Sequence, residues 1–330
     1  MKKQIELPER FVSVYDYWKG FKLKTATVAC FCLLCMLLSG CSTNQCDQKT
    51  LFSVDFQEGE PVKYWFLSEK DITLDWSSLK KGKNRKKDKL DKSKAKFQMT
   101  ATYLPVEADE YGLAKLKVVY DEIKLERKGT RSGDKRDAAE TLEGKTAVIP
   151  IDPTGQIKDD SDLRKIFTEA GEEAFRKNSR MGRIKEPDML SDFFALQWFL
   201  WDPVSSIKKP YEGLCVGESW KSKISVPTPM LMMAARDVVY TLDEIREGPN
   251  GRIAVIKSSY SLSESVPDSW PLPYSGSFRV SGRFGFLRGY KIQELSGEGE
   301  IFYNLDTGRL ISNYQEYTAV IRASLRMGLS

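Results

Sequence analysis

Histidine is absent from all 330 residues. Its absence excludes imidazole as a general acid or base, every Ser-His-Asp arrangement and every His-ligated metal site. A dominant charge is also missing. The chain carries 51 Lys and Arg against 46 Asp and Glu, so it lacks the strong basic face that a nucleic-acid partner requires. Its most apolar stretch, TATVACFCLLCMLLSG over residues 25–40, holds no charge. As a helix that stretch reaches about 24 Å, short of a hydrocarbon core of about 30 Å. Phosphate-cradling loops are lacking too, because Gly282, Gly285 and Gly289 lie among strand-like segments with no helix after them.

What is present begins with that short apolar run. Lys19, Lys22 and Lys24 precede it, and such cations hold their end of a secretion signal in the cytoplasm. Leu38-Ser39-Gly40-Cys41 closes it: small residues suited to a narrow peptidase channel, then a thiol. This block resembles the lipobox of bacterial lipoproteins. The resemblance implies acylation of the Cys41 sulfur, cleavage between Gly40 and Cys41, and a second acylation on the new amine. One acyl chain binds a bilayer marginally, whereas two or more, at about 0.8 kcal/mol per buried CH₂, hold firmly. Residues 1–40 are then a signal peptide, residues 41–50 a polar tether, and the bilayer is a partner through acylated Cys41. Ser42 implies sorting to the periplasmic face of the outer membrane, as non-Asp residues after the cysteine do in that family.

Cleavage leaves 290 residues with 45 basic and 43 acidic side chains. Of six cysteines only Cys41, Cys46 and Cys215 remain. In an oxidising compartment Cys46 and Cys215 can pair; alternatively Cys215 is a small buried apolar residue and Cys46 a free thiol. Residues 80–96 (KKGKNRKKDKLDKSKAK) read as a solvated basic loop able to touch anionic lipid heads.

The body reads as β-rich α+β in two loosely repeated halves with a helical insertion. The N-terminal β half covers 51–158, with strands at LFSVDF and VKYWFL, a hairpin of KFQMTATYLPV and LAKLKVVYDEIKLER, and two short strands around Pro153-Thr154-Gly155. The insertion covers 159–209. Leu163, Ile166, Phe167, Ala170, Ala174 and Phe175 recur at helical spacing over 160–178. A second helix over 187–201, PDMLSDFFALQWFLW, is apolar on most sides and must be buried, expected in the concave face of a curved sheet. Strands return over 210–330. A strand running into an Asp…Thr-Gly turn occurs in each half, at Asp152 and Asp306, as a duplicated meander or hairpins in general would give.

Pro210–Trp220 (PYEGLCVGESW), followed by strands and FYNLDTGRL, resembles uncharacterised bacterial lipoproteins with a Val-Gly-Glu/Asp-x-Trp block; that family implies no activity. Asp152 and Asp306 invite comparison with the paired aspartates of aspartic proteases, but Pro153 interrupts the first motif and Arg309 follows the second. Glu298 and Glu300 share a strand face and read as solvent-facing. Met230, Met232 and Met233 read as core filler or an adaptable apolar lining rather than a copper site. No metal, cofactor or catalytic set is expected. The function expected is a non-enzymatic, structural or protein-binding role in the cell envelope. The alternative is a carrier or sensor of an acyl-chain ligand in a groove containing Phe194, Trp198, Trp201 and Met232.

Overall fold

A computed structural model of the chain describes residues 3–12, 49–75, 90–129, 138–177, 184–185, 188–227, 234–267, 280–281 and 287–325. Its strands are β1 (Lys3–Val12), β2 (Val62–Asp75), β3 (Leu90–Ala108), β4 (Ala114–Gly129) and β5 (Thr146–Ile151), then β6 (Ile184–Lys185), β7 (Ser219–Ser225), β8 (Ala235–Gly248), β9 (Gly251–Leu262), β10 (Val280–Ser281), β11 (Leu287–Asn304) and β12 (Arg309–Leu325). Three helices, α1 (Ser161–Lys177), α2 (Asp188–Trp198) and α3 (Asp202–Ser205), lie between β5 and β7. The expected β-rich α+β class is what the structure shows.

Ten strands form one sheet in the order β5-β4-β3-β2-β1-β12-β11-β9-β8-β7, antiparallel throughout. β6 and β10 pair with each other in parallel. β1 separates an antiparallel group of four strands, β2–β5, from a group of five, β7, β8, β9, β11 and β12. Within each group strands adjacent in the sheet follow one another in the chain, apart from β10, and short turns join β3 to β4, β8 to β9 and β11 to β12.

One face of this sheet is the core. Period-two alternation puts Tyr64, Phe66, Ser68, Lys70 and Ile72 of β2 inside, with Phe97, Met99, Ala101 and Tyr103 of β3. In β4 the phase changes. Ala114, Leu116, Val118 and Tyr120 are buried, and then Ile123. The change falls where the β3–β4 register slips between Gln98 and Thr100, and there Glu122 has a φ of 43°. This bulge absorbs one residue, returns Ile123 to the inner face and bends the strand. β8 slips similarly between Leu242 and Glu244, and β11 at three places. Bulges of this kind curve a sheet around what it covers.

Several sequence expectations need correction. LFSVDF is extended and buries Phe52, Val54 and Phe56 on alternate positions, but it joins no ladder. It crosses one end of the sheet instead. Thr50 bridges Leu214, the Val54 amide donates to Pro153 O, and the Asp55 amide donates to Gly308 O. Chain packed between two turns has no neighbour along which to extend a ladder. The strand expected after Pro153-Thr154-Gly155 shrinks to a single bridge, Ile151 to Ile157. The helix expected over 187–201 stops at Trp198, and a separate turn of helix starts at Asp202. Pro187, Ala174 and Phe175 carry no described side-chain environment. β1 was not expected, since KQIELPERFV falls within the residues read from the sequence as a signal peptide.

Because Glu122 occupies a left-handed backbone position, Glu122→Val is expected to lower stability by about 1–2 kcal/mol while Glu122→Gly is tolerated. Denaturant midpoints of the two variants check this, and equal midpoints would contradict it.

Candidate functional site

The inserted helices supply the centre of the molecule. Met189, Leu190, Asp192, Phe193, Phe194, Gln197, Leu200 and Trp201 are all buried. Two of these are polar, and each meets a partner on the sheet. The Asp192 carboxylate accepts from Lys70 Nζ at 2.6 Å and from Ser68 Oγ at 2.8 Å. Both side chains of the ion pair have zero exposure. Lys70 and Ser68 stand two apart on the inner face of β2, so strand periodicity alone presents both to the helix. One turn further along α2, the Tyr103 hydroxyl of β3 donates to Gln197 Oε1. Burial is the largest influence on the Tyr103 phenol, pushing its pKa well above 10, so it remains a donor.

α3 is clasped by the other half of the sheet. Its first residue, Asp202, accepts from Tyr240 Oη of β8 at 2.7 Å and from Ser222 Oγ of β7 at 2.8 Å. Trp220 Nε1 donates to Pro203 O and to Ser206 Oγ, each at 3.1 Å. Enclosure of the Asp202 carboxylate pushes its pKa up to about 6, although the two hydroxyl donors and the Arg236 charge pull the other way. The insertion is thus bonded to β2 and β3 on one side and to β7 and β8 on the other.

Arg236 is a further buried polar group. Its guanidinium lies 4.6 Å from the Tyr260 ring centre and 4.2 Å from that of Tyr317, and it donates to Gln315 Oε1 at 2.7 Å. Gln315 Nε2 in turn donates to Asn313 Oδ1 at 3.0 Å. Gly297 and Gly299 of β11 leave the space that Tyr317, Ser258 and Tyr260 fill, because a Cβ on either would collide with them. Arg236, Asn313 and Gln315 form the polar wall of a cavity otherwise lined by Phe66, Leu196, Phe199 and Ile224. Its volume is about 40 Å³, room for water but far below the roughly 300–1,000 Å³ of small-molecule pockets.

The expected groove residues do not converge there. Phe194 and Trp198 stack on each other at 6.2 Å, with Phe167 edge-on to Phe194. Trp201 lies apart, edge-on to Phe56 and Tyr103. The cavity wall belongs to the opposite flank of α2, through Ala195, Leu196 and Phe199. Met230, Met232, Met233, Gly40, Cys41 and Cys46 lie outside the described residues. Cys215 is disulfide-bonded, so it is not a free buried thiol; its partner lies outside the described residues.

The two turn aspartates have different structural partners: Asp152 ties its own loop together, and Asp306 ties the β11–β12 turn to Arg252 of β9. Asp152 Oδ1 accepts from the amides of Thr154 and Gln156 and from Thr154 Oγ1, and Lys158 lies 2.5 Å from Oδ2. Partial burial opposes ionisation of Asp152, but Lys158 and these donors hold its carboxyl below the usual range. Asp306 takes three bonds from Arg252, which keep its carboxyl low as well. Neither shares a proton with the other. Among the described residues no group of three His, Cys, Asp or Glu is placed to hold a metal ion, and no helix is long and apolar enough to cross a membrane. Lys70, Asp192, Asp202 and Arg236 were missed in the sequence, although period two already placed Lys70 in line with Tyr64 and Phe66.

No family model matches this chain, and no curated protein matches it.

Two predictions follow from these contacts. Lys70→Met and Asp192→Leu are each expected to cost about 3–5 kcal/mol by stranding the other charge, whereas the double variant recovers most of that loss. Additive losses in denaturant titrations would refute the coupling. Asp202 binds its proton near pH 6 when folded and near 3.8 when unfolded, so its contribution to stability is present below pH 4 and lost as pH rises towards 6. The melting temperature of Asp202→Asn relative to wild type should therefore climb between pH 4 and 7; a pH-independent difference would exclude the shift.

Proposed function

We propose that the protein is a membrane-anchored, extracytoplasmic lipoprotein with a non-enzymatic role, structural or protein-binding. The observation that carries this reading is Leu38-Ser39-Gly40-Cys41 at the end of an uncharged run too short to span a bilayer. Cys41 carries the acyl chains, the body faces the periplasm, and the outer membrane is the destination consistent with Ser42. The non-enzymatic part is supported by how the buried polar groups are used. Lys70, Asp192, Gln197 and Asp202 each bind another element of the same fold, which leaves them engaged in packing rather than aimed at a substrate.

Pairing of Cys46 with Cys215 belongs to the same proposal. Thr50 is hydrogen-bonded to Leu214 in both directions at 2.8 Å, which carries the chain four residues after Cys46 to the neighbour of Cys215. The closed bond would hold the body near the lipid surface.

A second reading, a carrier of an apolar guest, is favoured by one observation: the cavity beneath α2 is mostly apolar. Its size requires α2 to move before an acyl chain enters. Mass spectrometry of natively purified protein separates the two readings, since co-purified lipid supports the carrier and an empty protein removes it.

Acyl-chain labelling with membrane fractionation tests the anchor. Wild type is expected to take up label and sediment with membranes, and Cys41→Ala to do neither. An unlabelled wild type beginning at Met1 would overturn the reading. Non-reducing peptide mapping should recover a Cys46–Cys215 linked pair, and recovery of Cys215 linked elsewhere would dismiss it.

A further inference from the structure

With residues 1–40 present, β1 fills a slot one strand wide between β2 and β12. It runs antiparallel to β12 from Lys3 opposite Ala323 to Phe11 opposite Gln315, and antiparallel to β2 from Ile5 opposite Leu74 to Val12 opposite Leu67. Two ladder spacings separate β2 from β12, about 9–10 Å. Removal of residues 1–40 takes β1 away and leaves, at alternate positions of Leu67–Leu74 and Gln315–Ala323, the amides and carbonyls that had bonded β1 facing each other across that gap. Two free edges at this separation template a single added strand, which gains main-chain bonds on both sides.

We propose that the mature protein uses this slot to bind an extended segment of about eight to ten residues from a partner protein, in the place that β1 occupies. The inference rests on the signal-peptide reading. The register of β1 states the chemistry such a segment needs. Ile5 is level with Ile321 and Leu7 with Ala319, both buried positions on the inner face of β12. Glu9 is level with Tyr317 on one side and with Lys70 on the other. The partner segment therefore carries apolar residues at alternate positions and an acidic residue level with Lys70. Position eight of the chain is proline, so one ladder bond is dispensable. The anchor fits this use, since a body tied to the bilayer can hold an envelope partner by β-addition without enclosing it.

The test uses protein extracted from its own membranes, with the first residue located by mass spectrometry. If it begins at Cys41, the probe is the synthetic peptide KQIELPERFV, residues 3–12. Saturable one-to-one binding is expected, with slower hydrogen exchange at the slot-facing alternate amides of 67–74 and 315–323. A scrambled peptide and a Glu9→Lys peptide should bind at least tenfold more weakly. Absence of binding overturns the proposal, as does protection of both stretches without peptide, which would mean that β2 and β12 close on each other. A stable dimer protected at the same stretches assigns the slot to a second copy and also overturns it. If the protein begins at Met1, the processing reading fails and the slot is tested in cis. Leu7→Pro should then speed exchange at both stretches, and unchanged exchange overturns the slot as well.

Discussion

The ion pair between Lys70 and Asp192 sets the terms for the rest of the fold. A helix as apolar as α2 gains by entering the concave face of the sheet, but its first turns carry an aspartate that cannot go there alone. β2 answers with a lysine and a serine two residues apart, and the tyrosine of β3 answers Gln197 in the same way. Polar matching of this kind adds little net stability compared with apolar packing, yet it fixes one depth and one rotation for the helix. The remaining contacts follow from that setting: Phe193 against Tyr120, Trp201 against Tyr103, and Asp202 delivered to Tyr240 and Ser222.

The consequence is a sheet whose two halves are joined through its filling. β2–β5 and β7–β12 touch opposite sides of the insertion, and the Ser53–Phe56 segment closes one end by bonding the turn of each half. Phe52 lies against Trp220 and Tyr303, and Phe56 against Trp201. Aromatic contacts on both halves thus converge on one core.

Much of this was legible in the sequence, for physical reasons that can be named. Leu163, Ile166, Phe167 and Ala170 recur at the helical period, and all are buried in α1. The β3–β4 hairpin followed from β-branched and aromatic content on either side of Glu107–Gly112. Burial of the second helix followed from its having almost no polar side. What escaped depends on long-range pairing. Nothing local tells that Lys70 will meet a residue 122 positions away, that Glu122 will absorb a bulge, or that LFSVDF will lack neighbours despite its alternation. The aromatic density of residues 193–201 located the core correctly, but not the flank of α2 that faces the cavity, since an all-apolar helix offers no polar stripe by which to orient it.

The crossing segment also has a mechanical meaning. Any pull on the chain ahead of Thr50 is met first by its paired bonds to Leu214, next by Val54 on Pro153 and then by Asp55 on Gly308. Tension is thereby divided between the two meanders before it reaches the start of β2. A body hung from its amino-terminal end would yield by losing this clamp as a unit, and its strands would not be peeled one at a time.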